Sequence, residues 1–126
     1  MDIKLIRKEL KEWLLKNIAG KKVYNASIDK YIVINRSGLK HALSFSHKNY
    51  VQKLKSLYSI EDIVKNARYV RTEVDNRNRK QIKEIIILEY QIIIEELNYY
   101  VKVVVRHTNE GRFYYDHALI DIQKKK

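Results

Sequence analysis

Apolar residues recur at helical spacing near the start of the chain, at Ile3, Ile6, Leu10, Trp13, Leu14 and Ile18. This period predicts an amphipathic helix over residues 3–18. Asp2 is placed to cap its first turn. Gly20 is placed to end it, because glycine readily adopts the left-handed conformation at a helix C-terminus.

The middle of the chain changes pattern twice. Val23 to Ala26 and Tyr31 to Asn35 are short apolar runs that predict two strands. Leu39 to Ala67 lacks β character, and its apolar spacing suits two or three short helices. Ser59, followed by Glu61 and Asp62, is typical of a helix start because acidic groups favour the first turn.

The C-terminal part is predicted to form a sheet. Glu84 to Ile94 contains six isoleucines without alternation, which favours a strand buried on both faces over a buried helix. A turn is expected at Leu97-Asn98. Two strands, Tyr99 to His107 and Arg112 to Ile122, are expected to follow. Asn109-Glu110-Gly111 fits a three-residue hairpin loop between them, with Gly111 left-handed.

That loop length predicts which residues face each other. It pairs Thr108 with Arg112, and the same register then gives the pairs Arg106–Tyr114, Val105–Tyr115, Val104–Asp116, Val103–His117, Lys102–Ala118 and Val101–Leu119. Alternation places an apolar set on one face, which should pack on the helices: Val101, Val103, Val105, His107, Phe113, Tyr115, His117 and Leu119. The other face, with Lys102, Arg106, Tyr114 and Asp116, is expected to be open.

Composition adds a strong positive charge to this picture. The 126 residues hold 26 Lys and Arg against 15 Asp and Glu, a net charge of +11, and residues 1–60 alone hold 13 against 4. Such a balance favours a polyanionic partner, namely nucleic acid.

Cysteine is absent, which excludes disulfides and thiolate metal sites, and the four histidines show no zinc spacing. No apolar run reaches the roughly 18 residues of a membrane span, so a cytoplasmic site of action without a membrane partner is expected. A toxin delivered by a larger carrier or a phage would have the same sequence features.

The candidate chemistry is cleavage of RNA by its own 2′-OH. The chain has no cysteine and no paired-carboxylate motif, and this reaction needs neither. It needs a base, an acid and a cation near the phosphate, with no metal and no cofactor. Two segments concentrate suitable side chains. One runs from Lys40 to Lys48 and would place His41 and Ser44 near one helix face. The other runs from Tyr114 to His117.

These same segments carry a family resemblance. The order of a strand, the run Ser37 to Ser44, helices, a hairpin and the run Gly111 to His117 resembles nuclease domains of the barnase/EndoU/colicin/RelE-like superfamily. It is similar in particular to those found in large polyvalent phage proteins and bacterial toxins. The resemblance covers roughly residues 32–122. It implies an α+β fold with N-terminal helices packed on one face of a curved antiparallel sheet. That sheet would be a C-terminal meander of three to four strands. It also implies metal-independent RNA cleavage.

We therefore expect residues 1–126 to form one nuclease domain, a toxin-like ribonuclease. One candidate substrate is tRNA. The expected catalytic residues are His41, Ser44, Arg106, Tyr114 and His117. The expected RNA-binding residues are Lys40, His47, Lys48, Arg77, Arg79 and Lys80. An immunity protein or antitoxin would be a further partner. The alternative is a non-catalytic, basic nucleic-acid-binding module of phage or mobile-element origin. A third option, an adaptor that binds another protein, is disfavoured by the charge.

Overall fold

The computed structural model describes residues 2–43, 50–75, 77–115 and 121–124, the last four for their backbone alone. Within this part of the chain the helices are α1 (Ile3–Asn17), α2 (Arg36–Ala42), α3 (Tyr50–Leu57) and α4 (Ile60–Asn66). The strands are β1 (Lys22–Asn25), β2 (Lys30–Val33), β3 (Arg68–Glu73), β4 (Ile82–Ile94), β5 (Leu97–Thr108), β6 (Phe113–Tyr115) and β7 (Asp121–Lys124).

The predicted ends of the first helix are confirmed. The Asp2 carboxylate accepts a hydrogen bond from the Leu5 backbone N–H at 3.2 Å, which satisfies a donor that has no partner inside the helix. Gly20 follows the helix with φ of +88°. Ser59 precedes α4 as expected, although its side chain makes no capping hydrogen bond.

The strands form one sheet in the order β1-β2-β6-β5-β4-β3, and β7 pairs with β5 beyond β6. The fold class is confirmed as α+β, with helices in the N-terminal part and a curled sheet mostly C-terminal. The sheet is mixed rather than wholly antiparallel, because β2 runs parallel to β6, with Val33 beside Tyr114. This pair joins the N-terminal hairpin to the C-terminal strands and brings β1 and β2 to the edge of the later sheet.

The hairpin register is confirmed close to its loop. The Thr108 N–H donates to the Arg112 carbonyl at 2.8 Å, Arg106 pairs with Tyr114, and Gly111 has φ of +86°. Farther along, β7 pairs with β5 in a register other than the predicted one. Lys102 pairs with Asp121 and Val101 with Ile122, so the predicted partners Ala118 and Leu119 are wrong. The register of β7 against β5 thus differs by three residues from the predicted one, and an odd difference reverses which face each side chain takes.

The turn before β5 also lies elsewhere than predicted. Ile94 pairs with Leu97, so the two-residue turn is Glu95-Glu96, and both glutamates have positive φ, +52° and +68°. Positive φ at both central positions is the requirement of a type I′ hairpin turn, which usually selects Asn or Gly. Two glutamates give no such signal, so the sequence pattern missed this turn.

Each face of the sheet has its own apolar cluster. The larger one lies between the sheet and the helices and includes Leu88, Val103, Val105, Phe113 and Tyr115. We call this side the helix face. The smaller cluster, Ile82, Ile85, Ile87 and Val104, lies on the other side, which we call the open face. The prediction that β4 is buried on both faces is confirmed for its middle, where Ile85, Ile86, Ile87 and Leu88 are all buried, but not for its last part next to the turn, where Ile93 is 70% exposed.

Candidate functional site

Arg106 and Tyr114 meet on the open face. They are paired residues of β5 and β6, and the guanidinium carbon of Arg106 lies 5.4 Å from the centroid of the Tyr114 ring. The Arg106 Nε is buried, and the structure shows no hydrogen-bond partner for it among the described residues. A buried charged donor without a partner is costly, so it favours an anion that can accept its hydrogen bond.

A second guanidinium reaches the same phenol. Arg112 Nη1 donates to the Tyr114 hydroxyl at 3.4 Å, and the Arg112 side chain is 66% exposed. Its carboxylate neighbour, Glu110, is 3.9 Å away and also exposed, so solvent screens that ion pair. Two arginines therefore flank one phenol on a face that faces away from the helices. This arrangement suits a phosphate and a group that exchanges a proton beside it.

The basic loop before β4 lies next to the hairpin tip. The Asn109 side chain donates to the Lys80 carbonyl at 2.6 Å, and the Asn109 backbone N–H donates to the Gln81 carbonyl at 2.9 Å. Lys80 is exposed there, and Arg77 is exposed earlier in the same loop. The tertiary structure thus brings one of the predicted phosphate-binding residues, Lys80, to the end of the sheet that carries Arg112.

Arg79, the third predicted cation of this loop, has a structural role. Its Nε and Nη2 donate to the two carboxylate oxygens of Asp75 at 3.0 and 3.1 Å, and its backbone N–H donates to the same carboxylate. Asp75 is only 6% exposed, and the Arg79 hydrogen bond holds the pKa of its carboxyl at about 2. The contact between Arg79 and RNA stays a prediction. In such a contact the guanidinium would remain hydrogen-bonded to Asp75.

The open face continues from the hairpin toward β3 as a cleft of about 210 Å³ that Arg71, Ile87, Glu89, Tyr100 and Lys102 help to line. A larger groove of about 1120 Å³ follows the β3 edge, where Lys65, Arg68 and Tyr69 contribute to its wall. Most cations of the open face come from residues 61–126, the half of the chain with nearly balanced charge. Lys22 of β1, which pairs with Val33 beside Tyr114, is the contribution of the first half among the described strands. The charge asymmetry along the sequence therefore did not locate this surface.

His107 was not predicted to be a site residue, yet it has a defined environment. Its Nδ1 lies 2.9 Å from Glu84 Oε2, and its ring stacks on Phe113 with 4.2 Å between centroids. A carboxylate at Nδ1 orients an imidazole and leaves Nε2 as the reactive nitrogen. However, His107 lies on the helix face, so the sheet separates it from Arg106 and both cannot contact one phosphate. Only the β4–β5 register, which includes a bulge between Ile82 and Glu84, reveals this pair.

Several predicted residues lie outside the described part of the chain, namely Ser44, His47, Lys48 and His117. His41 is in α2, and its side chain is not among the described ones. Lys40, also in α2, is exposed. Leu39 and Ala42 of this helix belong to the larger apolar cluster, so α2 approaches the sheet from the side opposite to Arg106. The roles predicted for these residues stay predictions.

Two further properties concern the described residues alone. None of their helices is long and apolar enough to cross a membrane. Across the same residues, no group of three or more His, Asp or Glu side chains is arranged to hold a metal ion.

Comparison with known proteins identifies a family. Residues 1–115 match the family model described as large polyvalent protein-associated domain 3. No curated protein and no solved structure matches the chain significantly.

Proposed function

The chain belongs to the large polyvalent protein-associated domain 3 family, and we propose that it is a metal-independent RNA endonuclease of the barnase/EndoU/colicin/RelE-like type. The observation that carries the proposal is the Arg106–Tyr114 pair on the open face, with a buried guanidinium Nε that has no partner among the described residues. Two arginines and a phenol on one face can supply the charge stabilisation and the general acid that phosphoryl transfer within RNA needs.

In the proposed reaction the 2′-oxygen attacks the adjacent phosphorus while the bond from phosphorus to the 5′-oxygen breaks. Negative charge grows on the two non-bridging oxygens, where Arg106 and Arg112 stabilise it through charge-assisted hydrogen bonds. The Tyr114 hydroxyl, 3.4 Å from Arg112 Nη1, donates a proton to the departing 5′-oxygen. The sequence nominates His117 to take the 2′ proton. His41, the other histidine nominated, is carried by α2, which lies on the opposite side of the sheet.

Binding of the substrate rests on the cations around this pair. Lys80 lies beside the hairpin tip, Arg77 is exposed earlier in the same loop, and Lys102 lies on the same face of β5 as Arg106. They would contact phosphates on either side of the cleaved bond, which gives affinity without base specificity. We propose RNA, with tRNA as one substrate to test, as the partner. A cytoplasmic site of action and an immunity protein or antitoxin that covers the open face belong to the same proposal.

A non-catalytic nucleic-acid-binding module is the second candidate. One observation favours it: the described side chains of the open face include Arg, Lys and Tyr but no His. Such a module would use the same cations for phosphates and the tyrosines for bases. It would leave RNA intact.

One experiment separates the two functions. Purified protein is incubated with total RNA in the presence of a chelator, and the new 3′ ends are identified. The nuclease proposal expects 2′,3′-cyclic phosphate ends that Arg106→Ala diminishes and Lys11→Ala, the loss of one exposed charge on α1, does not. Intact RNA that is nevertheless retained by the protein would select the binding module.

A further inference from the structure

Two exposed tyrosines extend the open face beyond the Arg106–Tyr114 pair. Tyr24 of β1 and Tyr31 of β2 are paired residues, 42% and 62% exposed, and their ring centroids lie 5.2 Å apart in an edge-to-face arrangement. Exposed aromatic pairs on a sheet are unusual in a purely structural role, because each ring leaves apolar area in water.

The parallel pairing of β2 with β6 aligns these tyrosines with the candidate site. Val33 lies beside Tyr114, so the same register carried back by two residues places Tyr31 level with Arg112. Tyr24 lies on the far side of Tyr31. We call this set the tyrosine–arginine row: Tyr24, Tyr31, Arg112, Tyr114 and Arg106. It spans four neighbouring strands, or about 14 Å at the usual strand spacing.

The two ends of the row differ in charge. Arg106 and Arg112 supply cations at one end, whereas the Tyr24 hydroxyl donates to the carboxylate of Asp29 at the other. This hydrogen bond raises the pKa of the Tyr24 phenol, which therefore stays neutral, and it restrains the ring. A carboxylate repels phosphate but accepts hydrogen bonds from the exocyclic amino group of a base. The Tyr24 end of the row is consequently suited to a base and the Arg106 end to a phosphate.

From this polarity we propose that the tyrosine–arginine row binds single-stranded RNA, with bases stacked on Tyr31 and Tyr24 and the phosphate to be cleaved held between Arg106 and Arg112. The inference rests on the proposed function in one respect, namely that the phosphate between Arg106 and Arg112 is the one that is cleaved. Stacking on exposed aromatic rings is tolerant of base identity, and a sheet of this width accommodates roughly two or three bases. A duplex cannot use the row, because its bases are already stacked on each other.

The test measures binding of a non-cleavable ligand, so that it does not depend on catalysis. The probe is a 2′-O-methyl single strand of roughly eight nucleotides, a length suited to one such site, with 2-aminopurine at successive positions. Tyr31→Leu and Tyr24→Leu should each weaken binding about 10-fold and abolish the fluorescence change of one 2-aminopurine position, because base–aromatic stacking is lost. Tyr31→Phe keeps the ring and should bind within about twofold of wild type.

Tyr58→Leu is the matched control. Tyr58 is exposed to the same degree, 47%, and also contacts another aromatic ring, that of Trp13, but it precedes α4 in the helical part of the chain. Its loss should leave binding unchanged. Thermal unfolding of every variant tests whether a weaker affinity reflects damage to β1 and β2.

Wild-type affinity in both folded leucine variants would overturn the inference, as would equal affinity for a duplex of the same sequence. Absence of any binding to the single strand would overturn it as well. Failure of the proposed function has a different signature: wild-type protein would leave cleavable RNA intact, while the probe would still bind in a manner that depends on Tyr24 and Tyr31.

Discussion

The Arg106 guanidinium carbon lies 5.4 Å from the centroid of the Tyr114 ring, across two paired strands and on the side of the sheet away from the helices. The next residue in the chain, His107, points to the opposite side and contacts Glu84 and Phe113. One residue along a strand thus separates two chemically distinct environments. Mutations at neighbouring positions should therefore have separable effects.

The first prediction concerns the charge on the open face. Arg106→Ala should lower the RNA cleavage rate by roughly 10²- to 10³-fold, because it removes stabilisation of the developing phosphate charge. Arg106→Lys should recover only part of the rate, since an ammonium lacks the planar fork of guanidinium. Initial rates on a fluorescent oligonucleotide measure both, with Lys11→Ala as the charge control. Equal rates in wild type and Arg106→Ala would remove Arg106 from the site.

The second prediction concerns the nucleophile. A substrate with a single 2′-deoxy sugar at the cleaved position should resist the enzyme, because no 2′-oxygen is available to attack. Mass spectrometry of products from the all-ribose substrate should show a 2′,3′-cyclic phosphate, and a chelator should leave the rate unchanged. A second deoxy sugar placed several nucleotides away is the control and should be tolerated. Cleavage at the deoxy position would contradict the mechanism.

The third prediction concerns the cations of the basic loop. Arg77→Gln combined with Lys80→Gln should reduce the salt dependence of binding, with the slope of log affinity against log salt falling by about 0.7 for each phosphate that the variant no longer neutralises. The Arg79→Gln variant should instead reduce stability, because it leaves the buried Asp75 carboxylate without its bidentate partner. Titrations over a salt series and thermal unfolding measure the two effects. An unchanged slope in the double variant would exclude this loop from the RNA interface.

The fourth prediction concerns Asp75 and acid. Its carboxyl pKa is about 2 in the folded protein, against an ordinary value of 3.8, because Arg79 and two backbone N–H groups donate to the charged form. The lowered pKa stabilises the fold by about 2 kcal/mol above pH 4, and this contribution is lost as the pH falls toward 2. Asp75→Asn should therefore be less stable than wild type at neutral pH and should lose less on acidification. Chemical denaturation at a series of pH values measures this, with Glu12→Gln, at an exposed position of α1, as control.

The fifth prediction concerns Gly38, where α2 meets the sheet. An added Cβ would lie 2.6 Å from the Tyr115 carbonyl oxygen and 2.6 Å from Asn35 Oδ1. The backbone carbonyl cannot move without disturbing β6, so Gly38→Ala should destabilise by about 1–3 kcal/mol despite the helix preference of alanine. Ser37→Ala, one residue earlier and exposed, is the control. A gain of stability in Gly38→Ala would show that α2 moves easily relative to β6.

Local rules in the sequence determined much of this structure. The three-residue loop with Gly111 set the pairing of Arg106 with Tyr114, because the loop geometry and alternation leave one register near a hairpin. The isoleucine run of β4 indicated burial on both faces, and the apolar period of α1 indicated which side of the helix packs. Each of these features depends on residues that are close in sequence.

The tertiary structure determined which segments that are distant in the sequence pair or contact each other. Tyr24 and Tyr31 reach the candidate site only because β2 lies parallel to β6, and a pairing between segments some eighty residues apart leaves no period in the sequence. The commitment of Arg79 to Asp75, the Glu84–His107 contact and the three-residue difference in the register of β7 have the same origin. Periodicity reports which face of an element is apolar, whereas strand order and register depend on how all those faces are buried together.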